Sequence, residues 1–326
     1  NKNVMDQQFW YSYYNGNDAN GELVNFQSTR TFQNLLASAY FKTDFQKDFG
    51  INIPLRTTTQ VAFDYRNRYN TVYGSYGIGL PNYTPFNTSQ AAETHVSTDY
   101  KTPFITYGYL ATQRLDYGTI GGLSAGFRTD FSSAFGAAST PQTFPRGDAY
   151  LRVSELGIFK NSAISTTVED FKLRAAYGEA GIQPKAFDRY ITLNTGVIGG
   201  GNAFFFPLTQ SNPNLNVEIS KELEIGTDIG LNLGKNSAWL NNVNLSASYW
   251  KRSTDNAIFE VDAAPSTGIG TVKDNAFSLG SNGIQASLNA QIYRDADWTW
   301  NFTTNFGKQT SEITAVRGNA EVVVLS

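Results

Sequence analysis

Hydrophobic and polar residues alternate most clearly over Lys221–Lys235. Side chains of an extended strand point to opposite faces in turn, whereas the same residues on a helix would scatter around its circumference. As a strand, the stretch has a largely apolar face: Leu223, Ile225, Thr227, Ile229, Leu231 and Leu233. Its other face is acidic or small: Glu222, Glu224, Gly226, Asp228, Gly230 and Asn232. The stretch is longer than an ordinary globular strand and reaches the roughly 9–11 residues that a tilted strand needs to cross a bilayer.

The same alternation recurs along the chain. It predicts further strands over Thr31–Asp44, Thr58–Tyr69, Thr106–Gln113, Leu123–Asp130, Phe171–Gly178, Val243–Tyr249, Ile284–Ile292 and Trp298–Phe306. At this density the chain holds roughly a dozen strands of barrel length. Long strands with one apolar and one polar face are typical of barrels that face lipid outside and water or a plug inside. The sequence therefore predicts an all-β fold, a large antiparallel transmembrane β-barrel of the outer-membrane type.

Other stretches carry turn residues and little alternation. We expect loops or irregular segments over Asn1–Asn25, Tyr73–Pro103, Ala134–Pro145 and Pro184–Pro213. A short helix is predicted over Arg152–Phe159. Gly199–Gly201 lacks the following Lys-Ser/Thr of a phosphate-binding loop, so we interpret it as a flexible loop.

The connections between strands alternate in length. Asn236–Asn242 and Arg294–Asp297 are short, which predicts the periplasmic side of a barrel. Asp262–Asn275 and, by the same parity, Ile182–Pro213 are longer and are expected outside. We expect residues 1–326 to form a single barrel domain that is incomplete at both ends, because an open sheet edge in lipid would leave backbone groups unpaired. The plug and the terminal strands are then absent from this stretch.

Composition narrows the function classes. Aromatic residues make up 14% of the 326 residues, and charged residues 16% with a net charge of −3. The sequence lacks the excess of Lys and Arg that is typical of nucleic-acid-binding domains. It also has no uninterrupted apolar run that approaches the roughly 18 residues of a transmembrane helix. There is no cysteine, and the single histidine, His95, excludes a multi-histidine metal site. No catalytic residue, metal or cofactor is expected, and the substrate-binding residues are unknown at this stage.

Charged residues on the polar strand faces could contact a substrate or pair with one another across strands. They are Arg66, Arg68, Arg128, Lys172, Arg174, Glu222, Glu224 and Asp228. Pairing or anchoring of a plug is the favoured interpretation. Glu222 and Glu224 share a strand face, but a glycosidase would need its two carboxylates to flank a cleft.

Aromatic residues in the expected loops could stack on sugar rings, pack on a partner or pack within their loops. They are Tyr73, Tyr76, Tyr83, Phe204, Phe205 and Phe206. His95 is expected to be a solvated loop residue. The spacing of Asp255, Asp262 and Asp274 is not that of an EF-hand calcium loop.

Five segments occur in an order that resembles one known family. They are Gly126–Gly136 (GFRTDFSSAFG), Asp170–Gln183 (DFKLRAAYGEAGIQ), Asn212–Leu215 followed by Lys221–Gly226, Tyr249–Ile258, and Pro265–Gly268 followed by Ser281–Ile284. These segments resemble motifs of the SusC/RagA family of TonB-dependent outer-membrane transporters from Bacteroidota. In the second segment Ala176 replaces the family's usual Ser, and Ile182 its usual Asn. The resemblance covers about half of the chain, and residues 1–120 carry no such motif.

The resemblance implies properties that composition does not give. The family forms plugged barrels of the roughly 22-stranded class, which import oligosaccharides or peptides. It works with a SusD-like surface lipoprotein that lids the barrel, often as a dimer of transporter–lipoprotein pairs. Energy comes from the TonB–ExbB–ExbD system through a segment that precedes the barrel. The location implied is the bacterial outer membrane.

Two other interpretations stay open. The chain could belong to a passive porin or a protein-secretion pore, which would have no plug or TonB-binding segment. It could also be a soluble secreted all-β protein, such as a carbohydrate-binding or enzyme module. In that case the face from Leu223 to Leu233 would be packed in a core.

Overall fold

The computed structural model describes residues 2–10, 22–80, 91–135, 141–234 and 237–316, which are mostly β-strand. The strands are β1 (Lys2–Trp10), β2 (Glu22–Asp44), β3 (Leu55–Ile78), β4 (Glu93–Tyr117), β5 (Gly121–Ser132), β6 (Gln142–Arg152), β7 (Val168–Ile182), β8 (Asn194–Ile198), β9 (Gly201–Phe205), β10 (Thr209–Gln210), β11 (Glu218–Leu231), β12 (Trp239–Asp262), β13 (Thr271–Arg294) and β14 (Thr299–Val316). The helices are short: α1 (Phe45–Phe49), α2 (Gly157–Lys160) and 3₁₀ turns at Ser133–Phe135, Val153–Glu155, Ala163–Thr166 and Pro265–Thr267. The predicted all-β fold is confirmed. No helix among these residues has the length and hydrophobicity needed to cross a membrane.

The chain forms two compact units. The first joins Asn1–Leu36 with Asp64–Tyr107 and orders its strands β1-β2-β3-β4. The second joins Ala37–Phe63 with Gly108–Ser326 and orders its main strands β2-β3-β4-β5-β6-β7-β11-β12-β13-β14. The short β10 adds to β13 in parallel. The described main sheet has 12 strands, and all of them except the two-residue β10 reach the barrel length of the roughly dozen strands that the alternation predicts.

Strands β7 and β11–β14 in the second unit define the two faces of the sheet. Neighbouring main strands are antiparallel, and Ile225 lies opposite Ala175 on β7 and Tyr249 on β12. Tyr249 in turn lies opposite Ile284 on β13. Directly opposed residues share a face of the sheet, so the predicted apolar faces of single strands join into one surface. Leu223 and Ile225 on this surface are 45% and 55% exposed, so they are not packed in a core.

The connections between β7 and β14 alternate in length as predicted. Residues 232–238 and 295–298 join strands at one end of the sheet, and residues 183–217 and 263–270 join strands at the other end. The first pair is short, and the second pair includes the longest described connection. The connection between β6 and β7, residues 153–167, does not fit, because it is longer than residues 263–270 yet lies at the same end as residues 232–238. The assignment of these ends to periplasm and exterior stays a prediction.

Several predicted loops are strands in the structure. Strand β1 lies within the expected loop Asn1–Asn25, while β3 extends to Ile78 and β4 starts at Glu93 inside the expected loop Tyr73–Pro103. Residues 11–21 and 81–90 lie outside the described residues. The end of β3 is rich in Tyr, Gly and Asn, while β1 and the start of β4 are rich in polar and charged residues. Their sequence therefore lacks the apolar alternation, although pairing with neighbouring strands holds them extended.

The segment Ala134–Pro145 is also not wholly irregular, because β6 begins at Gln142. Pro145 and Gly147 lower the strand propensity of this segment, yet its residues pair with β5 on one side and β7 on the other. The predicted helix over Arg152–Phe159 is confirmed in part by a 3₁₀ turn and α2.

The expected irregular segment Pro184–Pro213 holds a separate hairpin of β8 and β9. Its turn consists of Gly199 and Gly200, both with positive φ (57° and 83°), the geometry in which glycine avoids a Cβ clash. The interpretation of Gly199–Gly201 as a flexible loop is therefore wrong. Exposed apolar side chains cover this hairpin and its flanks: Ile191, Leu193, Val197, Ile198, Phe204, Phe205, Phe206 and Leu208.

Residues 183–217 connect β7 to β11, and partly buried polar contacts hold the two ends of this connection against β13. Lys273 Nζ on β13 lies 2.5 Å from Asp188 Oδ1, whose residue is 8% exposed. Asn212, the first residue of the Asn-Pro-x-Leu segment, donates to Asp274 at 3.3 Å, and Leu215 of the same segment is fully buried. This motif therefore has a structural role, since it ties the connection to the β12–β13 hairpin.

Replacing Lys273 by Gln should loosen the base of the connection. Asp188 would keep only a backbone N–H partner, and leaving a buried charged acceptor under-paired costs about 1–3 kcal/mol or more. Limited proteolysis of the full-length protein should then cleave residues 183–217 about tenfold faster than in wild type. Lys221→Gln is the matched control, because its partner Asp255 is a more exposed carboxylate. Equal cleavage rates in the two variants would contradict this role.

Candidate functional site

The second unit presents two chemically different surfaces across β7 and β11–β14. We define the apolar face by Leu173, Ile225, Tyr249, Ile284 and Phe306, which lie on neighbouring strands. The polar face is the opposite side of the same strands and carries Lys172, Asp228, Ser246, Ser287 and Asn305. A sheet that exposes its apolar side and carries its charges on the other side fits a wall between lipid and an aqueous lumen.

The upper border of the apolar face runs diagonally across the strands. Its first long polar residues are Lys221 on β11, Lys251 on β12, Asn282 on β13 and Lys308 on β14. Lys251 lies opposite Leu223, and Lys308 lies opposite Ile284, so the border drops by two residues at each of these steps. Over three strand spacings of about 4.8 Å, this drop of about 14 Å corresponds to a tilt of about 45°. Strands of outer-membrane barrels tilt by about 35–45° from the membrane normal.

Aromatic residues mark the lower border of the apolar face. Trp239 and Tyr293 pack edge to face with ring centroids 4.8 Å apart. Trp298 and Trp300 follow at the start of β14 and are 74% and 58% exposed. Large exposed tryptophans at strand ends are typical of the aromatic girdle at a membrane–water interface.

The polar face is organised around Arg174 of β7. Its Nη1 lies 2.5 Å from Glu224 Oε1, and its Nε lies 3.6 Å from Asp228 Oδ2. Asp228 also accepts a hydrogen bond from Ser246 at 2.7 Å. The guanidinium lies over Gly226, where an added Cβ would be 2.7 Å from Arg174 Cζ. Glycine at this position therefore makes room for the central cation of the face.

The charged network continues onto β4 and β6. Arg114 contacts Asp116 at 3.0 Å and Asp148 at 3.6 Å, and the Tyr150 hydroxyl donates to Asp116 at 3.1 Å. Lys172 Nζ lies 5.3 Å from the Tyr150 ring centroid and connects this group to the one around Arg174. Opposite charges on the same strand or on nearby strands are thus neutralised within the wall itself.

A recess of about 460 Å³ opens on the polar face beside Arg174. Its remaining lining comes from β11–β14 and is mainly hydroxyl and amide: Glu224, Ser246, Ser248, Gln285, Ser287 and Asn305. The polar face beyond this point, on β13 and β14, carries no charged side chain between residues 281 and 311. This part of the wall can exchange hydrogen bonds with water or a solute but offers no ionic anchor.

The charged residues singled out from the sequence are mostly paired. Arg66 binds Asp64 at 2.8 Å, Arg128 binds Asp130 at 2.6 Å, and Arg68 lies 5.9 Å from the Phe104 ring centroid. Glu222 accepts from Arg252 at 2.5 Å, while Glu224 pairs with Arg174. Pairing across strands is confirmed for Glu222 and Glu224, whereas Arg66 and Arg128 pair with an aspartate on their own strand. Glu222 and Glu224 are separately neutralised rather than facing each other across a cleft.

The aromatic residues expected in loops lie partly on strands. Tyr73 and Tyr76 belong to β3, and Tyr76 stacks on His95 of β4 with centroids 4.9 Å apart. The expectation of a loop histidine is therefore wrong. Phe204 and Phe205 belong to β9, and Phe206 follows them. Tyr83 lies outside the described residues.

The three aspartates considered for calcium spacing have other surroundings. Asp255 binds Lys221, and Asp274 accepts from the backbone N–H of Asn275. Asp262 ends β12. Among the described residues, no group of three or more His, Cys, Asp or Glu side chains could hold a metal ion.

Sequence reasoning missed Arg114, Asp116, Asp148 and Tyr150 in the polar network. Asp148 and Tyr150 lie on β6, for which the sequence predicts no strand. The alternation of Arg146, Asp148 and Tyr150 at every second position is the signal that could have revealed them.

Comparison with known proteins assigns the chain to a family. The family model described as "TonB dependent receptor-like, beta-barrel" matches residues 2–321. The chain therefore belongs to the TonB-dependent receptor β-barrel family, and its location is the bacterial outer membrane. This is a family of receptors and transporters rather than of enzymes.

Individual relatives are matched over only part of their own length. The chain is 29% identical over 59% of its residues to TonB-dependent receptor P26 of Formosa agariphila, and 23% identical over 77% to receptor P39 of the same organism. These matches span about a fifth of the relatives, 19% and 22%.

Solved structures confirm the fold. A structure of the RagAB peptide transporter matches with a TM-score of 0.81 at 16% identity, over 97% of this chain and 34% of that chain. The RagAB peptide importer in its "open-open" state matches with a TM-score of 0.79 at 17% identity, over 99% of this chain and 34% of that chain. The fold is thus that of part of a TonB-dependent barrel.

Replacing Arg174 by Gln should destabilise the wall. Glu224 would lose its ion-pair partner and Asp228 one of its two cations, so we expect a loss of about 1–3 kcal/mol in the free energy of unfolding. Denaturant unfolding of the full-length receptor, followed by tryptophan fluorescence, measures it. Arg252→Gln removes a more exposed pair with Glu222 and should cost less. A larger loss in Arg252→Gln would contradict the central place of Arg174.

The turn between β13 and β14 should be sensitive to acid. Asp295 accepts from the Tyr293 hydroxyl at 2.5 Å and from the N–H groups of Trp298 and Asp297, and these bonds lower the pKa of Asp295 below 3.8. A lowered folded-state pKa stabilises the fold above pH about 4 and loses that effect as pH falls through the folded value.

Asp295→Asn should therefore be less stable than wild type at pH 7, and the difference should shrink as pH falls below 3.8 and through the folded-state pKa of Asp295. Unfolding midpoints of the full-length receptor across an acid pH series provide the measurement. Asp297→Asn is the charge-matched control, since Asp297 contacts Asp295 through its backbone N–H, which the substitution keeps. A pH-independent difference for Asp295→Asn would refute the assignment.

Proposed function

We propose that the full-length receptor imports a hydrophilic solute, an oligosaccharide or a peptide, across the outer membrane with energy from TonB–ExbB–ExbD. The observation that carries the proposal is the two-sided wall: an exposed apolar face with a tilted border, and a polar face with a charge network. Family membership adds support for energy coupling. The chain spans about a fifth of its curated relatives, so activity and partners are proposed for the whole protein.

The polar face favours a plugged conduit over an ion-selective pore. Its charges of both signs are neutralised by neighbours such as Arg174 with Glu224, so the wall presents little net field to an ion. The uncharged hydroxyl and amide side chains around the recess suit contacts with a polar solute or a plug. Residues 1–326 would then form one segment of a single barrel domain.

A SusD-like surface lipoprotein is the proposed partner. The longest described connection, residues 183–217, lies at one end of the sheet in the second unit, and its β8–β9 hairpin carries exposed apolar side chains. Apolar surface of this kind is typical of contact sites for proteins. The assembly would be a transporter–lipoprotein pair, or a dimer of such pairs.

Uptake in the native bacterium tests the proposal. Cells would be fed defined mixtures of oligosaccharides and peptides, and depletion from the medium followed by mass spectrometry. We expect deletion of the receptor gene and depletion of TonB to abolish uptake of the same solute class. Uptake that needs the receptor but survives TonB depletion would favour a passive porin and overturn the proposal. In parallel, the tagged full-length receptor should co-purify a surface lipoprotein from detergent-solubilised outer membranes.

A further inference from the structure

Arg146 on β6 differs from the other arginines of strands β4 to β12, because it has no carboxylate partner. Its side chain is exposed, and among the described residues no acidic side chain lies within 4.0 Å of it. Each of the other arginines on these strands lies within 3.4 Å of a carboxylate oxygen: Arg114, Arg128, Arg152, Arg174 and Arg252. Arg146 therefore keeps a positive charge that no ion pair in the described wall neutralises.

The two carboxylates nearest to Arg146 in the strand ladder already have partners. Asp148 lies two residues further along the same face of β6, where it accepts a hydrogen bond from the Ser124 hydroxyl and contacts Arg114 at 3.6 Å. Glu222 lies two strands away on β11 and accepts from Arg252 at 2.6 Å. A carboxylate that binds Arg146 would therefore come from outside this part of the wall.

The strands leave room for such a group beside Arg146. Gly126 on β5 and Gly178 on β7 lie directly opposite it on its two sides, and opposed residues share a face of the sheet. Towards β5 the side chain reaches Thr112, whose hydroxyl oxygen accepts from Arg146 Nη2 at 2.9 Å. Towards β7 the space is open, since an added Cβ at Gly178 would meet no heavy atom within 4 Å. We call this space the notch over Gly178.

The chemistry of the guanidinium selects the group that fits the notch. Thr112 uses only Nη2 of Arg146, so Nε and Nη1 have no partner among the described residues. Arginine presents its N–H groups in a rigid planar fork, and two parallel bonds from this fork match the two oxygens of a carboxylate. A neutral hydroxyl such as that of Thr112 leaves the positive charge unmatched, whereas a carboxylate would neutralise it.

The notch also lies where a solute could reach it. Strand β6 begins at Gln142, shortly before Arg146, and β7 ends at Ile182, shortly after Gly178. The connection 183–217 follows directly, so the notch is close to the end of the sheet that is predicted to face the exterior. A solute entering from that end would meet Arg146 on the polar face of the wall.

We propose that Arg146 binds a carboxylate of the imported solute in the notch over Gly178. The inference rests on the proposed function and narrows its solute class to molecules that carry a carboxylate. A uronic acid supplies this group in an oligosaccharide, and the C-terminus supplies it in a peptide. Arg146 is thus a specificity-determining residue that favours acidic solutes over neutral ones of the same size.

Calorimetric titration of the full-length receptor, purified in non-ionic detergent with any bound lipoprotein, tests the inference. The probes are two matched pairs: trigalacturonate with its methyl ester, and tetra-alanine with its C-terminal amide. In one of these pairs the free carboxylate should bind wild type about tenfold more tightly than its neutral partner, as expected for a charge-assisted hydrogen bond. The pair that shows this preference identifies the source of the carboxylate.

Three variants locate the preference. Arg146→Gln should bind both members of the pair equally, at the level of the neutral member. Arg146→Lys keeps the charge but loses the fork, so it should retain a preference of only about threefold. Arg294→Gln is the charge-matched control, because Arg294 ends β13, is exposed and has no acidic side chain within 4.0 Å among the described residues. It should keep the tenfold preference.

Three results would overturn the inference. They are a wild type that favours neither free carboxylate, a preference that survives in Arg146→Gln, and an equal loss of preference in Arg294→Gln. A surviving preference together with a lower unfolding midpoint of Arg146→Gln would assign Arg146 to a contact with the plug instead. Binding does not require TonB, so failed uptake by cells with an intact binding preference would reject import and leave this site standing.

Discussion

Backbone hydrogen bonding between antiparallel strands is the constraint on which this structure depends. Hydrocarbon offers no alternative partner to an N–H or C=O group, so each strand in lipid must pair with its neighbours. Pairing also fixes register, and a slip of one residue would turn every side chain to the other face. The register that puts Ile225 beside Tyr249 therefore also puts Asp228 beside Ser246 on the opposite side. Lipid contact outside and charge neutralisation inside follow from the same ladder.

Glycine lets the polar face carry large side chains without widening the sheet. The Arg174 guanidinium lies over Gly226, and the Trp250 ring lies over Gly283, where an added Cβ would be 2.7 Å from the ring. Arg252 then stacks on Trp250 at 5.4 Å and reaches Glu222. Bulky groups lie flat along the wall in both places, so they are held by neighbours rather than projecting into the lumen.

The sequence predicted the strands whose two faces differ in polarity. From β11 to β14 one face meets lipid, so apolar residues recur at every second position and the alternation is clear. Strand β6, the end of β3 and the start of β4 lack that pattern, because Pro145, a run of Tyr, Gly and Asn, or a run of polar residues interrupts it. Their extended conformation comes from pairing with neighbours, which a local pattern does not contain. Within the site, the charges of β11 were predicted, but Glu224 finds its partner Arg174 50 residues away in the sequence.

The β8–β9 hairpin has a consequence for how contacts at its end of the sheet respond to salt and pH. Between Arg189 and Glu218 the chain carries no acidic, basic or histidine side chain, and its exposed residues there are apolar or neutral. Contacts made through this segment would therefore be nearly indifferent to ionic strength and pH. Contacts made through exposed ion pairs weaken as salt screens them over about 8–10 Å. A protein surface packed on this segment would therefore be held with nearly the same strength at low and at high salt.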